Sequence, residues 1–215
     1  MTSPICYIFG AGEFSPGDSA IKLEENDLVI AADGGYDHLL EAGLRADIAL
    51  GDFDSVSSSE IWEDTICEKM TYPPEKDDTD MMLAIKLGLS KGFEQFAIYG
   101  GLGGRLDHSL ANIQALAYLA EHRAQGILYH REYELTVIRN GSFTIPKDFT
   151  GCVSVFSLSD MSKNVSIKGL QYETEGTTLT NSFPLGISNI AAGKKGIISV
   201  ESGTLLILWH KSTVI

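Results

Sequence analysis

The chain has 215 residues, enough to bury the core of one large domain or two small ones, and its 44% apolar and 21% charged residues are the balance of a globular protein. No stretch approaches the ~20 apolar residues that span a bilayer. Met1–Gly10 lacks a basic n-region, and Cys6, Cys67 and Cys152 form no C-x-x-C pair, so a cytoplasmic protein with reduced thiols is expected, without a zinc site or disulfide framework. The net charge of −13 is uneven: residues 1–130 hold 8 basic against 22 acidic residues, and residues 131–215 hold 8 against 7. An acidic front half excludes non-specific nucleic-acid binding, which needs a basic face. It leaves open a nucleotide bound with a metal, because acidic groups recruit the metal.

In chain order, Ile5–Phe9 reads as a buried strand ending in Gly10-Ala11-Gly12, and Leu28–Ala32 as a second ending in Asp33-Gly34-Gly35. A helix follows over Tyr36–Ala42. Ile48–Leu50 is a short strand ending in Gly51-Asp52. The next helix, Asp80–Leu89, places Met82, Ile85 and Leu89 on one face. Phe96–Tyr99 is a strand ending in Gly100-Gly101-Leu102-Gly103-Gly104. A helix over Leu106–Ala120 follows, with Leu106, Leu110, Ile113, Leu116 and Ala117 at helical spacing, and Ile127–Tyr129 closes the series. After about His130 the pattern changes. Leu135–Ile138 and Ser142–Ile145 flank Asn140-Gly141, which predicts a hairpin with a type I′ turn. Val153–Leu158, Val165–Ile167, Ile197–Val200 and Leu205–Trp209 are further strands. The alternation predicts an α/β fold: an N-terminal, Rossmann-like parallel α/β domain over residues 1–130. A small antiparallel β domain, sandwich or barrel, follows over residues 131–215.

Ligands of open parallel sheets bind outside the carboxyl ends of the strands. Three segments there carry chemistry. In Gly51-Asp52-Phe53-Asp54-Ser55, an extended chain would point Asp52 and Asp54 the same way, and a hard cation such as Mg²⁺ relieves the repulsion between paired carboxylates. Lys76-Asp77-Asp78-Thr79-Asp80 opens a helix, so Asp77 or Asp78 reads as a cap, while Lys76 can meet a phosphate as a point charge. In Gly100–His108 the glycines let backbone N–H groups approach phosphate oxygens and Arg105 can fork onto one. This segment is neither a P-loop nor a G-x-G-x-x-G fingerprint. His108 is a possible acid or base, with capping by Asp107 and His108 the alternative. His38, His122, His130 and His210 read as structural.

Taken together, Asp33-Gly34-Gly35, Gly51–Ser55, Asp77–Asp80 and Gly100–His108 resemble the thiamine pyrophosphokinase family in order and spacing. Ser182–Asn189 is similar to that family's thiamine-binding segment. The resemblance implies a Mg²⁺-dependent enzyme that moves the diphosphoryl group of ATP to thiamine and releases AMP. It implies a catalytic α/β domain, a C-terminal β-sandwich, and a homodimer with thiamine bound between subunits. By motif match, Asp52, Asp54 and Asp80 hold Mg²⁺. Asp33, Thr79, Arg105 and Asp107 line the nucleotide and reacting groups, with Gly34, Lys76, Gly101, Gly103, Gly104 and His108 at the nucleotide. Ser188 and Asn189 contact thiamine, and Phe183 is the aromatic at hand to stack on it. Asp33 or Asp107 would take the hydroxyl proton. A diphosphotransferase acting on a pterin alcohol, and a non-catalytic nucleotide or thiamine sensor, are the alternatives.

Overall fold

Apolar runs punctuated by glycine and aspartate become the strands of a parallel sheet. The computed structural model describes residues 3–14, 21–57, 66–73, 75 and 77–210. The chain divides into two compact units, Met1–Arg131 and Glu132–Ile215. The first unit holds β1 (Ile5–Phe9), β2 (Leu28–Ala32), β3 (Ile48–Gly51), β4 (Glu68–Thr71), β5 (Gln95–Tyr99) and β6 (Gln125–Tyr129), all parallel and in the order β6-β5-β1-β2-β3-β4. β1, β2, β3 and β5 are buried almost throughout, as strands covered on both faces must be. β4 carries no apolar run because it is the edge strand, with Glu68 and Thr71 exposed. Phe9, Tyr36, Leu39, Phe53 and Tyr99 share one core cluster.

The helices described in this unit are α1 (Gly35–Glu41), α2 (Asp80–Ser90) and α3 (Leu106–Glu121). Their ends match expectation better than their faces. The buried residues of α2 are Met81, Ala84, Ile85 and Gly88, so the predicted Met82 and Leu89 lie to the side of the stripe. In α3 the buried residues are Ala115, Leu116 and Leu119, while Leu106 and Leu110 are exposed. The reason is positional: the first turns of α3 carry His108, Ala111 and Asn112 along a cavity. Only the later turns cover the sheet.

The second unit is all strand among its described residues. β7 (Tyr133–Arg139), β9 (Thr150–Ser157), β12 (Gly186–Ala192) and β14 (Thr204–His210) run antiparallel in the order β12-β9-β14-β7. β8 (Ser142–Ile145), β10 (Met161–Lys168), β11 (Thr174–Thr180) and β13 (Gly196–Ser199) form a second antiparallel sheet, β11-β10-β13-β8. The predicted hairpin is therefore not one: β7 pairs with β14 and β8 with β13. A type I′ turn needs positive φ at both central residues, and of the pair only Asn140 has it, at 46°. Asn140 instead binds Gly203, its N–H donating to the Gly203 carbonyl and its Oδ1 accepting from the Gly203 N–H. The local turn signal was real, but burial of two separate strand faces decided the partners.

Candidate active site

The strand order of the parallel sheet determines where a ligand can sit. β1 has β2 on one side and β5 on the other. The connection after β1 leads to β2 and the one after β5 leads to β6 on the opposite side, so the strand order reverses between β1 and β5. The carboxyl end of such a switch point is where these sheets bind ligands. A cavity of about 640 Å³ lies there. Asp33 reaches it from the end of β2, Asp52 and Ser55 from the end of β3, and Asp77–Asp80 from the start of α2. Gly100, Gly101, Gly103, Gly104 and Arg105 reach it from the β5–α3 connection, and His108 from the first turn of α3. Gly10–Gly12 and Asn112, for which sequence reasoning assigned no role, line it too. Gly34 is outside this lining; a Cβ there would stand 3.0 Å from the Ala11 Cβ and 3.3 Å from the Ser55 carbonyl. Lys76 lies outside the described residues.

Among the described residues, carboxylate oxygens of Asp33, Asp52 and Asp54 all lie within 4.8 Å of one another. Asp33 takes the place in this trio that the motif match gave to Asp80, which faces the same cavity from α2. Extended-chain alternation is not what joins Asp52 and Asp54. Phe53 between them has φ of 60°, a left-handed conformation that is an outlier for a bulky residue and costs on the order of 1–3 kcal/mol. Its ring is buried in the core cluster, which offsets that cost. The turn brings Asp54 back, so that its N–H donates to Asp52 Oδ1 at 3.3 Å.

Asp33 also has positive φ, 50°, and its Oδ1 is buried with no hydrogen-bond partner. Burial pushes its carboxyl above the ordinary range and the charges of Asp80 and Asp52 add to this; the Ser55 hydroxyl and the Gly34 backbone oppose it. That hydroxyl donates to Asp54 Oδ1 at 3.0 Å. An unbonded, buried oxygen beside further carboxylates fits a hard divalent cation, which takes oxygen ligands and cancels the repulsion.

Thr79 is the N-cap of α2, its hydroxyl oxygen accepting from the Met82 N–H at 3.2 Å. The predicted caps do other work: Asp78 pairs with Lys86 at 2.6 Å. Asp107 and His108 do not cap α3, whose N-cap residue is Arg105. Arg105 and Asp107 form a two-point pair, Nη2 to Oδ2 at 2.6 Å and Nε to Oδ1 at 3.2 Å. That pairing holds the Asp107 carboxyl down at about 2. Gly100 must be glycine: its φ is 61°, and a Cβ would collide with the Gly10 carbonyl.

The second unit contains a pocket of about 330 Å³ lined by Val165, Ile167, Tyr172, Leu185, Ile187 and Asn189 among others. Asn189 is buried. Its Oδ1 accepts from the N–H groups of Tyr172 and Ile190, and its Nδ2 donates to the Tyr172 carbonyl at 2.7 Å. One N–H of that amide remains for a ligand. Ser188 is exposed beside the pocket, with φ of 57°, at a bulge where Ile187 and Ser188 of β12 together oppose Ser154 of β9. Phe183 is exposed and outside the lining. The aromatic that lines the pocket is Tyr172, brought there by the Asn189 side chain from seventeen residues away.

A family model described as thiamin pyrophosphokinase, catalytic domain, matches residues 21–128, and one described as thiamin pyrophosphokinase, vitamin B1 binding domain, matches residues 142–205. The chain is similar to a thiamine pyrophosphokinase of Bacillus subtilis, with 30% identity over 188 residues, covering 86% of this chain and 88% of that protein. Its fold is similar to the crystal structure of thiamine pyrophosphokinase from Bacillus subtilis, with TM-score 0.84 at 26% identity over 97% of this chain and 99% of that one. It is also similar to that of thiamin pyrophosphokinase from Geobacillus thermodenitrificans, with TM-score 0.84 at 25% identity over 98% and 99%.

Proposed function

Because the chain belongs to the thiamine pyrophosphokinase family, whose members make thiamine diphosphate from thiamine, we propose that it takes the diphosphoryl group from ATP, in a Mg²⁺-dependent reaction that releases AMP. The observation that carries this reading is the meeting of the three acidic and glycine-rich segments around one cavity at the strand switch of the parallel sheet. We read the first unit as Rossmann-like and catalytic, and the second as a β-sandwich that holds thiamine. The working form is a cytoplasmic homodimer with active sites at the subunit interface, which sedimentation at micromolar concentration tests.

Transfer of this group asks a protein mainly for positioning and charge stabilisation. Asp33, Asp52 and Asp54, with Asp80 beside them, would hold Mg²⁺, which supplies positive charge at the polyphosphate. The backbone of Gly101, Gly103 and Gly104 would receive phosphate oxygens, as glycine loops at helix starts do. Arg105 would meet the phosphate by turning from Asp107 or sharing its fork with it. Thr79 holds the start of α2, and so Asp80, in place. His108 would stand at the nucleotide, since it lines the same cavity. Asp33 and Asp107 are the two acids considered for the hydroxyl proton. Asp107, held at about 2 by Arg105, has little proton affinity while that pair stands, and Asp33 would be available as acceptor only where it is not bound to the cation. In the second unit, Tyr172 offers a ring and Asn189 its remaining N–H to thiamine, with Ser188 at the rim.

The test is AMP release from ATP and Mg²⁺ with and without thiamine. Thiamine-dependent AMP is the expected result. AMP that needs a pterin alcohol and ignores thiamine would overturn the acceptor, and no AMP with either would leave a sensor.

A further inference from the structure

We infer that Asn112 is a positioning residue for the nucleotide: its side-chain amide keeps the Gly101 carbonyl from facing the phosphates. The inference rests on the reading above that ATP lies on the glycine loop.

Residues 100–104 carry one side chain beyond hydrogen, that of buried Leu102. Such a loop cannot hold its own shape, since glycine has the widest choice of backbone conformations. Its shape is set from outside. Four consecutive carbonyls each receive a donor from another segment: Tyr99 from the Gly10 N–H at 2.8 Å, Gly100 from the Gly12 N–H at 2.7 Å, and Leu102 from the Glu13 N–H at 2.8 Å. The fourth, Gly101, receives the Asn112 Nδ2 at 2.6 Å. Three of the four donors are backbone groups of one segment, residues 10–13, which prolongs the β1–β5 ladder beyond the sheet. The fourth is a side chain on α3.

The N–H groups of Gly101, Leu102 and Gly103 donate to no group among the described residues. From Gly100 to Leu102 the carbonyls are engaged, while the N–H groups of Gly101, Leu102 and Gly103 are available, which is the polarity a phosphate needs. In a planar peptide the C=O and N–H point in opposite directions. Releasing the Gly101 carbonyl would let the Gly101–Leu102 peptide turn over. Gly101 lines the cavity whereas buried Leu102 does not, so turning the peptide over would free the Gly101 carbonyl, a partial negative charge, at the cavity wall. A carbonyl only accepts, so the Asn112 nitrogen must be the atom facing it. Asn112 is well placed to do this, because it lies one turn after His108 on α3 and both residues line the cavity.

The experiment compares Asn112→Ala, the isosteric Asn112→Asp and the donor-keeping Asn112→Gln, with Arg105→Ala as a control for the nucleotide site. Circular dichroism melts confirm that each protein is folded. Asn112→Ala and Asn112→Asp should raise KM for ATP on the order of tenfold, as loss of one well-placed hydrogen bond allows, with KM for thiamine within about twofold. Asn112→Gln should recover most of the loss. Should Asn112→Ala fail to fold, the Asp and Gln variants carry the comparison. An unchanged KM for ATP in Asn112→Asp, or equal rises in both KM values, overturns the positioning role. If Arg105→Ala also leaves KM for ATP unchanged, ATP does not lie on the loop and the functional reading fails with it. If Arg105→Ala alone weakens ATP, only the role of Asn112 is lost.

Discussion

The two cavities described above are built by opposite means. The one at the parallel sheet is made of strand ends and loops, and it keeps polar groups without partners among the described residues: Asp33 Oδ1 and the N–H groups of Gly101, Leu102 and Gly103. The pocket in the second unit stands on strand faces, and its polar groups are mostly engaged. Asn189 is bonded to the Tyr172 backbone and Glu173 accepts the Gly169 N–H at 2.6 Å. What remains there is apolar surface, one ring and a single amide N–H of Asn189. A charged, hydrated ligand is held by groups that the protein leaves unsatisfied. An aromatic vitamin can be held by shape and apolar contact, with few polar groups to orient it. The first site should therefore fail through charge and the second through packing.

The sharpest break of that contrast is Asp54→Asn. Asp54 is exposed, so the change should leave folding intact. It should lower turnover on the order of 10³-fold, about 4 kcal/mol of lost charge stabilisation. Near-normal turnover would sink the metal role of the trio. Asn189→Ala addresses the other cavity. It leaves the Tyr172 N–H and carbonyl without their partner, which should cost about 2 kcal/mol in a denaturant melt. KM for thiamine should rise while KM for ATP stays put. A parallel rise in KM for ATP would contradict the division of labour between the cavities.

The same contrast explains what could be read from the sequence. β1, β2 and β5 were legible because strands buried on both faces must be apolar runs. The acidic and glycine segments were legible because strand ends carry the chemistry in this architecture. Asp52 and Asp54 were correctly paired for the wrong reason, since nothing local announces that Phe53 will turn left-handed to bury its ring. Asp33 could be tied to the pair only once β2 and β3 were known to be neighbours. In the second unit, β11 and β12 are rich in Thr, Gly, Ser and Asn and partly exposed, so they carry no apolar signature. Tyr172 is brought to its pocket by a side-chain bond across the fold, and Asn112 looks like an ordinary helix residue until its partner is seen.

A smaller effect separates ring contact from hydrogen bonding at Tyr172. Tyr172→Ala should raise KM for thiamine roughly tenfold, in line with the ~0.5–1.5 kcal/mol of an aromatic contact. Tyr172→Phe should stay close to the parent. If Phe is as poor as Ala, the hydroxyl matters and the pocket is not governed by packing.

The smallest expected effect concerns stability at Asp33, and its sign is informative. Burial and the neighbouring acids raise its carboxyl in the folded protein. The folded state thus favours the protonated form over the unfolded chain. Asp33's favourable contribution is present below the ordinary carboxylate range near pH ~4 and is lost as pH rises through its raised value. Asn carries no charge at any pH. Asp33→Asn should therefore melt higher than the parent at pH 7.5 in chelator, with the gain vanishing in strong acid, even though turnover is lost. Added Mg²⁺ should stabilise the parent more than the variant, because binding to the folded state alone raises its stability and the variant lacks one carboxylate. Were Asp33→Asn to melt lower than the parent at pH 7.5 without metal, Asp33 would be a structural anchor. The unsatisfied-charge account of the first cavity would then fail at its most buried member.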